Sequence, residues 1–120
     1  MSDVDTVKAL DAAIIDGINA KDASKATAPY AEDGAAMPPG APIMSGHVAI
    51  REYWQAAIDG GLSDVVANLT EAHVSGDFAV TTGTLTGSMG GQKLAGKYIL
   101  YFRKGDDDWK VQCDIWNFDA

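Results

Sequence analysis

The chain has 120 residues, 47% of them hydrophobic, which predicts one globular domain over residues 1–120 with a substantial core. Its formal net charge of −8 provides no basic patch for phosphate groups, so we expect neither nucleic acid nor an anionic membrane surface as a partner. Cys113 is the only cysteine, which excludes an intramolecular disulfide and a cysteine-based metal cluster.

The first thirty residues predict two helices. Apolar residues recur at every third or fourth position from Val4 to Ile18, the spacing of one helical face. Asp22 is a suitable cap for a second, short helix, which Pro29 ends. These two helices are expected to form a pair at the start of the fold.

The next segment predicts two very short strands and a third helix. The strands are expected at about 35–37 and 43–45, joined by a rigid turn with the sequence PPGAP. The helix is expected over 47–59, because its apolar residues share one face and Gly60 and Gly61 follow it.

The remainder of the chain predicts four long strands. They are expected at about 64–74, 78–88, 92–104 and 109–118, and each gap between them carries a glycine-containing turn signal. The turn signals are at 75–77, 90–91 and 105–107. An antiparallel meander that follows three helices indicates the α+β class.

Three segments resemble one known family. They are INAKDASKATAPYAEDG at 18–34, PPGAPIMSGHVAIREYWQ at 38–55 and GKYILYFRKGDDDWKVQCDIWN at 96–117. Together they resemble the SnoaL-like, ketosteroid-isomerase-like branch of the nuclear transport factor 2 superfamily. The resemblance implies a cone-shaped, curved antiparallel sheet around three N-terminal helices, an apolar pocket between them, and a homodimer formed through the outer sheet face.

Asp114 is the most informative residue, because a carboxylate interrupts a strand rich in Val, Ile and Trp. If Tyr98 pairs with Asp114 across the last hairpin, the carboxylate shares a face with Trp116 and Gln112. A one-residue slip instead places Val111, Cys113 and Ile115 on the apolar face and turns Asp114 away. The pattern slightly favours the slip, whereas the resemblance implies that Asp114 and Trp116 face the pocket.

An inward Asp114 would be a candidate general acid or base, because burial disfavours the charged form of a carboxyl group. In that hypothesis Tyr98 donates a hydrogen bond to it, and His47 is a possible second proton-transfer group. The alternatives are that Asp114 only orders the pocket, through hydrogen bonds from Tyr98, Trp54 or the backbone, or that it is solvated on the outer face. The alternative role of His47 is to cap the start of the third helix.

The groups that act in ketosteroid isomerase are missing from the corresponding positions of this sequence. The position of the oxyanion-donating tyrosine holds Ile14, that of the general-base aspartate holds Pro38, and that of the proton-donating aspartate falls near Leu100. The resemblance therefore does not imply steroid isomerisation by that mechanism. The epoxide hydrolases of this superfold need an arginine deep in the pocket, and we expect Arg51 and Arg103 at the surface.

Several apolar and aromatic residues are expected either to line a ligand pocket or only to fill the core. We expect no metal site and no cofactor, because the histidines and the cysteine lack ligand spacing. The candidate ligand-binding residues are Tyr30, Met37, Trp54, Leu100, Phe102, Gln112 and Trp116.

Two functional hypotheses follow. The first is a cofactor-independent acid/base enzyme, of the isomerase, cyclase or dehydratase type, that acts on a small apolar organic molecule. The second is a noncatalytic homodimeric module that binds a ligand or mediates association. We expect a cytoplasmic location, because the N-terminal segment lacks a signal-peptide pattern and no apolar run approaches the roughly 18 residues of a membrane span.

Overall fold

The computed structural model of the protein describes residues 2–106 and 108–119. The predicted turn at 105–107 and the acidic run at 106–108 therefore lie partly outside the described residues. No helix in the described ranges is both long enough and apolar enough to span a membrane. The cytoplasmic location stays a prediction.

Three helices form where the sequence predicts them. Their bounds are α1 Asp3–Asn19, α2 Ala23–Thr27 and α3 Gly46–Asp59. The side chains of Ser2 and Asp22 cap α1 and α2 by accepting hydrogen bonds from backbone N–H groups three residues further on. The first two helices cross closely at Gly17, where an added Cβ would lie 2.5 Å from the Cα atom of Ala26.

The strands form a single six-stranded curved sheet in the order β2-β1-β6-β5-β4-β3. The predicted antiparallel meander is confirmed for β3 to β6, and β1 adds a parallel pairing with β6. The strand β1 starts five residues earlier than predicted and ends at Met37 as expected. The bounds are β1 Tyr30–Met37, β2 Met44–Ser45, β3 Leu62–Ser75, β4 Phe78–Met89, β5 Gln92–Lys104 and β6 Trp109–Phe118.

The helices pack against the concave face of the sheet, and the core lies between the two layers. Val7, Ile14 and Ile18 of α1 and Ile50 of α3 are buried there, together with Phe102 of β5. The predicted α+β cone, with a curved sheet around the N-terminal helices, is confirmed.

The last hairpin has the slipped register near its turn, where Phe102 pairs with Val111, but neither of the two registers considered from the sequence continues beyond that pair. Leu100 pairs with Asp114, Tyr101 with Cys113 and Phe102 with Val111, so a β-bulge leaves Gln112 as the extra residue of β6. The bulge shifts the alternation of side chains by one residue, so that Val111 and Asp114 both point inward. An uninterrupted register allows only one of these two to face the core.

A side-chain amide joins α1 to the strand β3. The Asn19 amide donates to the backbone oxygen of Val65 at 2.8 Å and accepts from its backbone N–H at 2.9 Å. Asp64, just before this point, has a positive φ of 54°, and the register of β3 against β4 shifts here. Asn19 thus pairs the backbone groups of Val65 at the irregular start of the sheet.

We expect Gly17→Ala to destabilise the protein by about 2 kcal/mol, because the added methyl group has no space against α2. Urea denaturation measures the change. Helix propensity alone predicts a gain of about 1 kcal/mol, so a stabilised variant would contradict the close helix crossing. The matched control is Ala12→Gly at an exposed position of α1, which should lose about 1 kcal/mol through propensity.

Candidate active site

A cavity of about 240 Å³ lies between the helices α1 and α3 and the inner face of the sheet. Its outer end is formed by partly exposed apolar side chains, including Leu62, Leu85 and Phe118. Its inner end contains Leu100, which is 3% exposed, and two carboxyl groups. An apolar cavity with a few polar groups at one end is the usual form of a small-molecule site.

Asp114 lies at the inner end of the cavity and is 5% exposed. The hydroxyl of the fully buried Tyr30 donates to its Oδ2 atom at 2.5 Å. Burial raises the pKa of Asp114 to about 7; the bond from Tyr30 opposes this shift, and the nearby carboxyl of Asp11 adds to it. Both protonation states are therefore populated near neutral pH.

Asp11 is the second carboxyl group of the cavity, and it is also 5% exposed. The Tyr98 hydroxyl donates to it, lying 3.1 Å from Oδ1 and 3.0 Å from Oδ2. Gly83 of β4 pairs with Tyr98 and leaves room for its side chain, because a Cβ there would lie 2.8 Å from the tyrosine oxygen. We expected Tyr98 to donate to Asp114, whereas that partner is Tyr30.

Asp11 was missed in the sequence analysis, although a signal was present. It stands four residues after Val7 and three before Ile14, on the apolar face of α1. A carboxylate on such a face is costly unless it has partners. Burial raises the pKa of Asp11, and the hydroxyls of Thr81 and Tyr98 counteract the rise.

The tyrosines near the carboxyl groups are held in the neutral, donating form. Burial and the negative charge of Asp114 raise the pKa of Tyr30 and Tyr53, while burial and the charge of Asp11 raise that of Tyr98. Among the described residues, the buried indole N–H of Trp54 makes no hydrogen bond of good geometry, although it lies close enough to lower the pKa of Tyr30.

Three aromatic side chains form one wall of the cavity. The Trp54 and Trp116 rings stack with centroids 5.3 Å apart and an interplanar angle of 13°. Tyr53 meets both rings edge-on, at 5.2 Å from Trp54 and 5.8 Å from Trp116. Each ring therefore contacts the other two in a stacked or edge-to-face geometry, which is favourable for aromatic pairs.

The structure brings together five of the residues singled out from the sequence. Asp114 and Tyr98, two of the three candidate catalytic residues, reach the cavity, and so do three of the candidate ligand-binding residues. The three are Trp54, Leu100 and Trp116.

The other candidates lie outside the cavity lining. His47 donates from Nε2 to the backbone oxygen of Tyr30 at 2.6 Å and so attaches the start of α3 to β1. Gln112, on the bulge, donates to Asp33 near the surface. Phe102 is buried in the core, and Met37 is half-buried opposite Ile115.

The two arginines considered for an epoxide hydrolase site, Arg51 and Arg103, are exposed, as expected. No group of three or more potential metal ligands is found among residues 2–106 and 108–119.

The comparisons with known proteins agree with this architecture. The family model of the SnoaL-like domain matches residues 12–112. The comparison with curated proteins gave no match.

Solved structures show the same fold at low sequence identity. A ketosteroid isomerase-like protein from Erwinia carotovora atroseptica SCRI1043 is 20% identical, with a TM-score of 0.88 over 99% of this chain and 98% of that one. An NTF2-like protein of unknown function from Pseudomonas putida KT2440 is 19% identical, with a TM-score of 0.81 over 98% and 94%. A cystatin-like domain of unknown function from Nostoc punctiforme PCC 73102 is 17% identical, with a TM-score of 0.83 over 95% and 75%. At these identities the likeness shows the fold alone.

We expect Tyr30→Phe to raise the pKa of Asp114 further above 7, because the variant removes the hydrogen bond that favours the carboxylate. Carboxyl-resolved NMR titration of wild type and variant measures the value. The matched control is Tyr98→Phe, which removes the corresponding bond to Asp11 and should change the Asp114 value much less. A wild-type Asp114 that titrates near 4 would show that the carboxyl is solvated.

Proposed function

Because this chain belongs to the SnoaL-like domain family, we propose that it is a cofactor-independent acid/base enzyme acting on a small, mostly apolar organic molecule. The observation that carries the proposal is the position of Asp114, a buried carboxyl group in an apolar cavity, with a pKa of about 7. A proton-transfer group works best when its pKa lies near the working pH.

The surroundings of Asp114 suit a group that both gives and takes a proton. Oδ2 accepts from Tyr30, which holds the carboxyl in one orientation, while Oδ1 has no hydrogen-bond partner among the described residues. In the protonated form Oδ1 would donate a proton to a substrate oxygen, and in the ionised form it would remove a proton from carbon or oxygen. Apolar walls keep water from competing for that proton.

The reaction types that fit are isomerisation, cyclisation and dehydration, since each requires a proton to be moved without a change in oxidation state. In this proposal Asp114 is the acid/base and Tyr30 is its positioning residue. Trp54 and Trp116 shape the wall against which an apolar substrate packs. His47 has no part, because its Nε2 is committed to a backbone oxygen outside the cavity lining.

The alternative function is a noncatalytic, homodimeric ligand-binding module. The outer sheet face favours a dimer, since Val80, Ile99 and Ile115 are 36%, 48% and 49% exposed there. Ile99 pairs with Ile115, and Val80 pairs with the half-buried Tyr101, so the apolar surface runs across β4, β5 and β6. We propose a homodimer through this face in either case, because contiguous exposed apolar surface commonly marks an interface.

We expect Asp114→Asn to reduce proton exchange at a bound substrate by a factor of about 10² to 10⁴, the usual contribution of a general acid or base. Deuterium incorporation from D₂O into a panel of small enolisable cyclic and aryl ketones, followed by NMR, measures it. The control is Asp16→Asn, an exposed position on α1, which should leave the rate unchanged. If ligands bind the wild type but no Asp114-dependent exchange occurs, the binding-module function is favoured.

The same variant has a defined effect on stability. A folded pKa raised to about 7 means that the favourable contribution of Asp114 is fully present below pH 4 and is lost as pH rises from about 4 to about 7. Asp114→Asn removes this loss, so the variant should be more stable relative to wild type at pH 8 than at pH 4. Chemical denaturation at both pH values measures the free energy of unfolding of the two proteins. It also shows whether the variant is still folded under the conditions in which its activity is lost.

For the dimer, we expect Ile99→Lys to shift the protein to monomers, because a lysine in the apolar outer face would have to be desolvated on association. Sedimentation velocity at micromolar concentration measures the change. The matched control is Val48→Lys, at a 61% exposed position on α3 rather than on the sheet, which should leave the dimer intact. A wild-type protein that sediments only as a monomer would refute the interface.

A further inference from the structure

The charge of the cavity is unbalanced. Asp11 and Asp114 both line it, and no lysine, arginine or histidine side chain among residues 2–106 and 108–119 does. The salt bridges of the described residues, such as Lys97 with Asp119 and Lys104 with Asp3, lie elsewhere and are solvent-accessible. Within the described part of the chain, the two buried carboxyl groups therefore have only neutral hydroxyl groups near them, those of Tyr30, Tyr98 and Thr81.

Those hydroxyls leave much of the accepting capacity of the two groups unused. A pair of ionised carboxylates offers about eight lone-pair sites, and here at most three hydroxyl protons, from Tyr30, Tyr98 and Thr81, are directed at them. Oδ1 of Asp114 accepts no hydrogen bond from a described residue, although Asp114 is only 5% exposed. A bound ligand that donates hydrogen bonds would satisfy this atom.

The rest of the cavity also suits a positive charge on an apolar body. Tyr53, Trp54 and Trp116 line the same space, and aromatic rings attract a cation that comes within about 6 Å of the ring centre. The remaining lining is largely aliphatic, from Ile14 and Ile18 at one side to Leu85 and Leu94 at the other. An anionic ligand would instead place its charge next to two carboxyl groups in a low-dielectric site.

We propose that the cavity selects a protonated amine with an apolar body, whose ammonium group is held by Asp11 and Asp114. This inference rests on one part of the proposed function, namely that the cavity is the substrate site. It adds the chemical class of the substrate. Asp11 is then a binding residue that supplies charge, Asp114 binds and transfers the proton, and the aromatic wall packs against the carbon skeleton.

The test compares three ligands of nearly the same shape. Isothermal titration calorimetry at pH 7.5 is carried out with 2-naphthylmethylamine, 2-naphthylmethanol and 2-naphthoate on the full chain. We expect the amine to bind at least tenfold more tightly than the alcohol and the carboxylate to bind most weakly. Equal affinity of amine and alcohol, tighter binding of the carboxylate, or no binding of the amine at millimolar concentration would each overturn the proposal.

A variant identifies the group responsible. Asp11→Asn should reduce the preference for the amine over the alcohol, since Asp114 remains, while leaving the affinity for the alcohol within about twofold. The matched control is Asp16→Asn, at an exposed position five residues further along α1. It removes one negative charge, as Asp11→Asn does, but it should leave the preference for the amine unchanged. An undiminished preference in Asp11→Asn would overturn the role of Asp11, and the wild-type comparison decides the ligand class even if that variant does not fold.

The outcomes also separate this inference from the proposed function. A preference for the amine without Asp114-dependent deuterium exchange supports the ligand class and counts against acid/base catalysis. Exchange of neutral ketones without a preference for the amine supports catalysis and refutes the ligand class.

Discussion

The hydrogen bond from Tyr30 to Asp114 joins the first strand to the last and determines the character of the cavity. Both side chains are buried, and the bond spans 84 positions of sequence across the parallel pairing of β1 and β6. An ionised carboxylate in this position loses its hydration, and a single neutral donor replaces only part of it. The pKa of Asp114 therefore rises to about 7, and a residue that is ordinarily charged at neutral pH exchanges its proton there.

The β-bulge in β6 makes this arrangement compatible with a packed core. Without the extra residue at Gln112, either Val111 or Asp114 would face the helices, but not both. With it, Val111 fills the core next to Phe102 while Asp114 reaches the cavity two pairs along the hairpin. Bulges are often found where a strand redirects a side chain, and this one directs Asp114 into the cavity.

The two carboxyl groups also show how a common fold can present different polar groups in its cavity. By the resemblance, the positions of the three acting groups of ketosteroid isomerase hold Ile14 and Pro38 and fall near Leu100 in this chain. Ile14 and Leu100 are part of the apolar lining of the cavity. The polar groups come instead from Asp11, one helical turn before Ile14, and from Asp114, paired with Leu100. The scaffold is retained while the polar groups occupy neighbouring positions, so function must be argued from the site itself.

The sequence by itself determined the local elements and the fold. Apolar spacing and turn residues are properties of neighbouring positions, and they predicted the three helices, the four long strands and the capping role of Asp22. The apolar pattern of the last strand also identified Asp114 as an unexpected carboxylate among Val, Ile and Trp residues. What only the tertiary structure decided was the direction of that side chain, since it depends on a bulge with no local signal, and the identity of its partner. Tyr30 rather than Tyr98 bonds to Asp114, and Asp11 joins the same cavity, because residues distant in sequence meet only when the sheet curves around the helices.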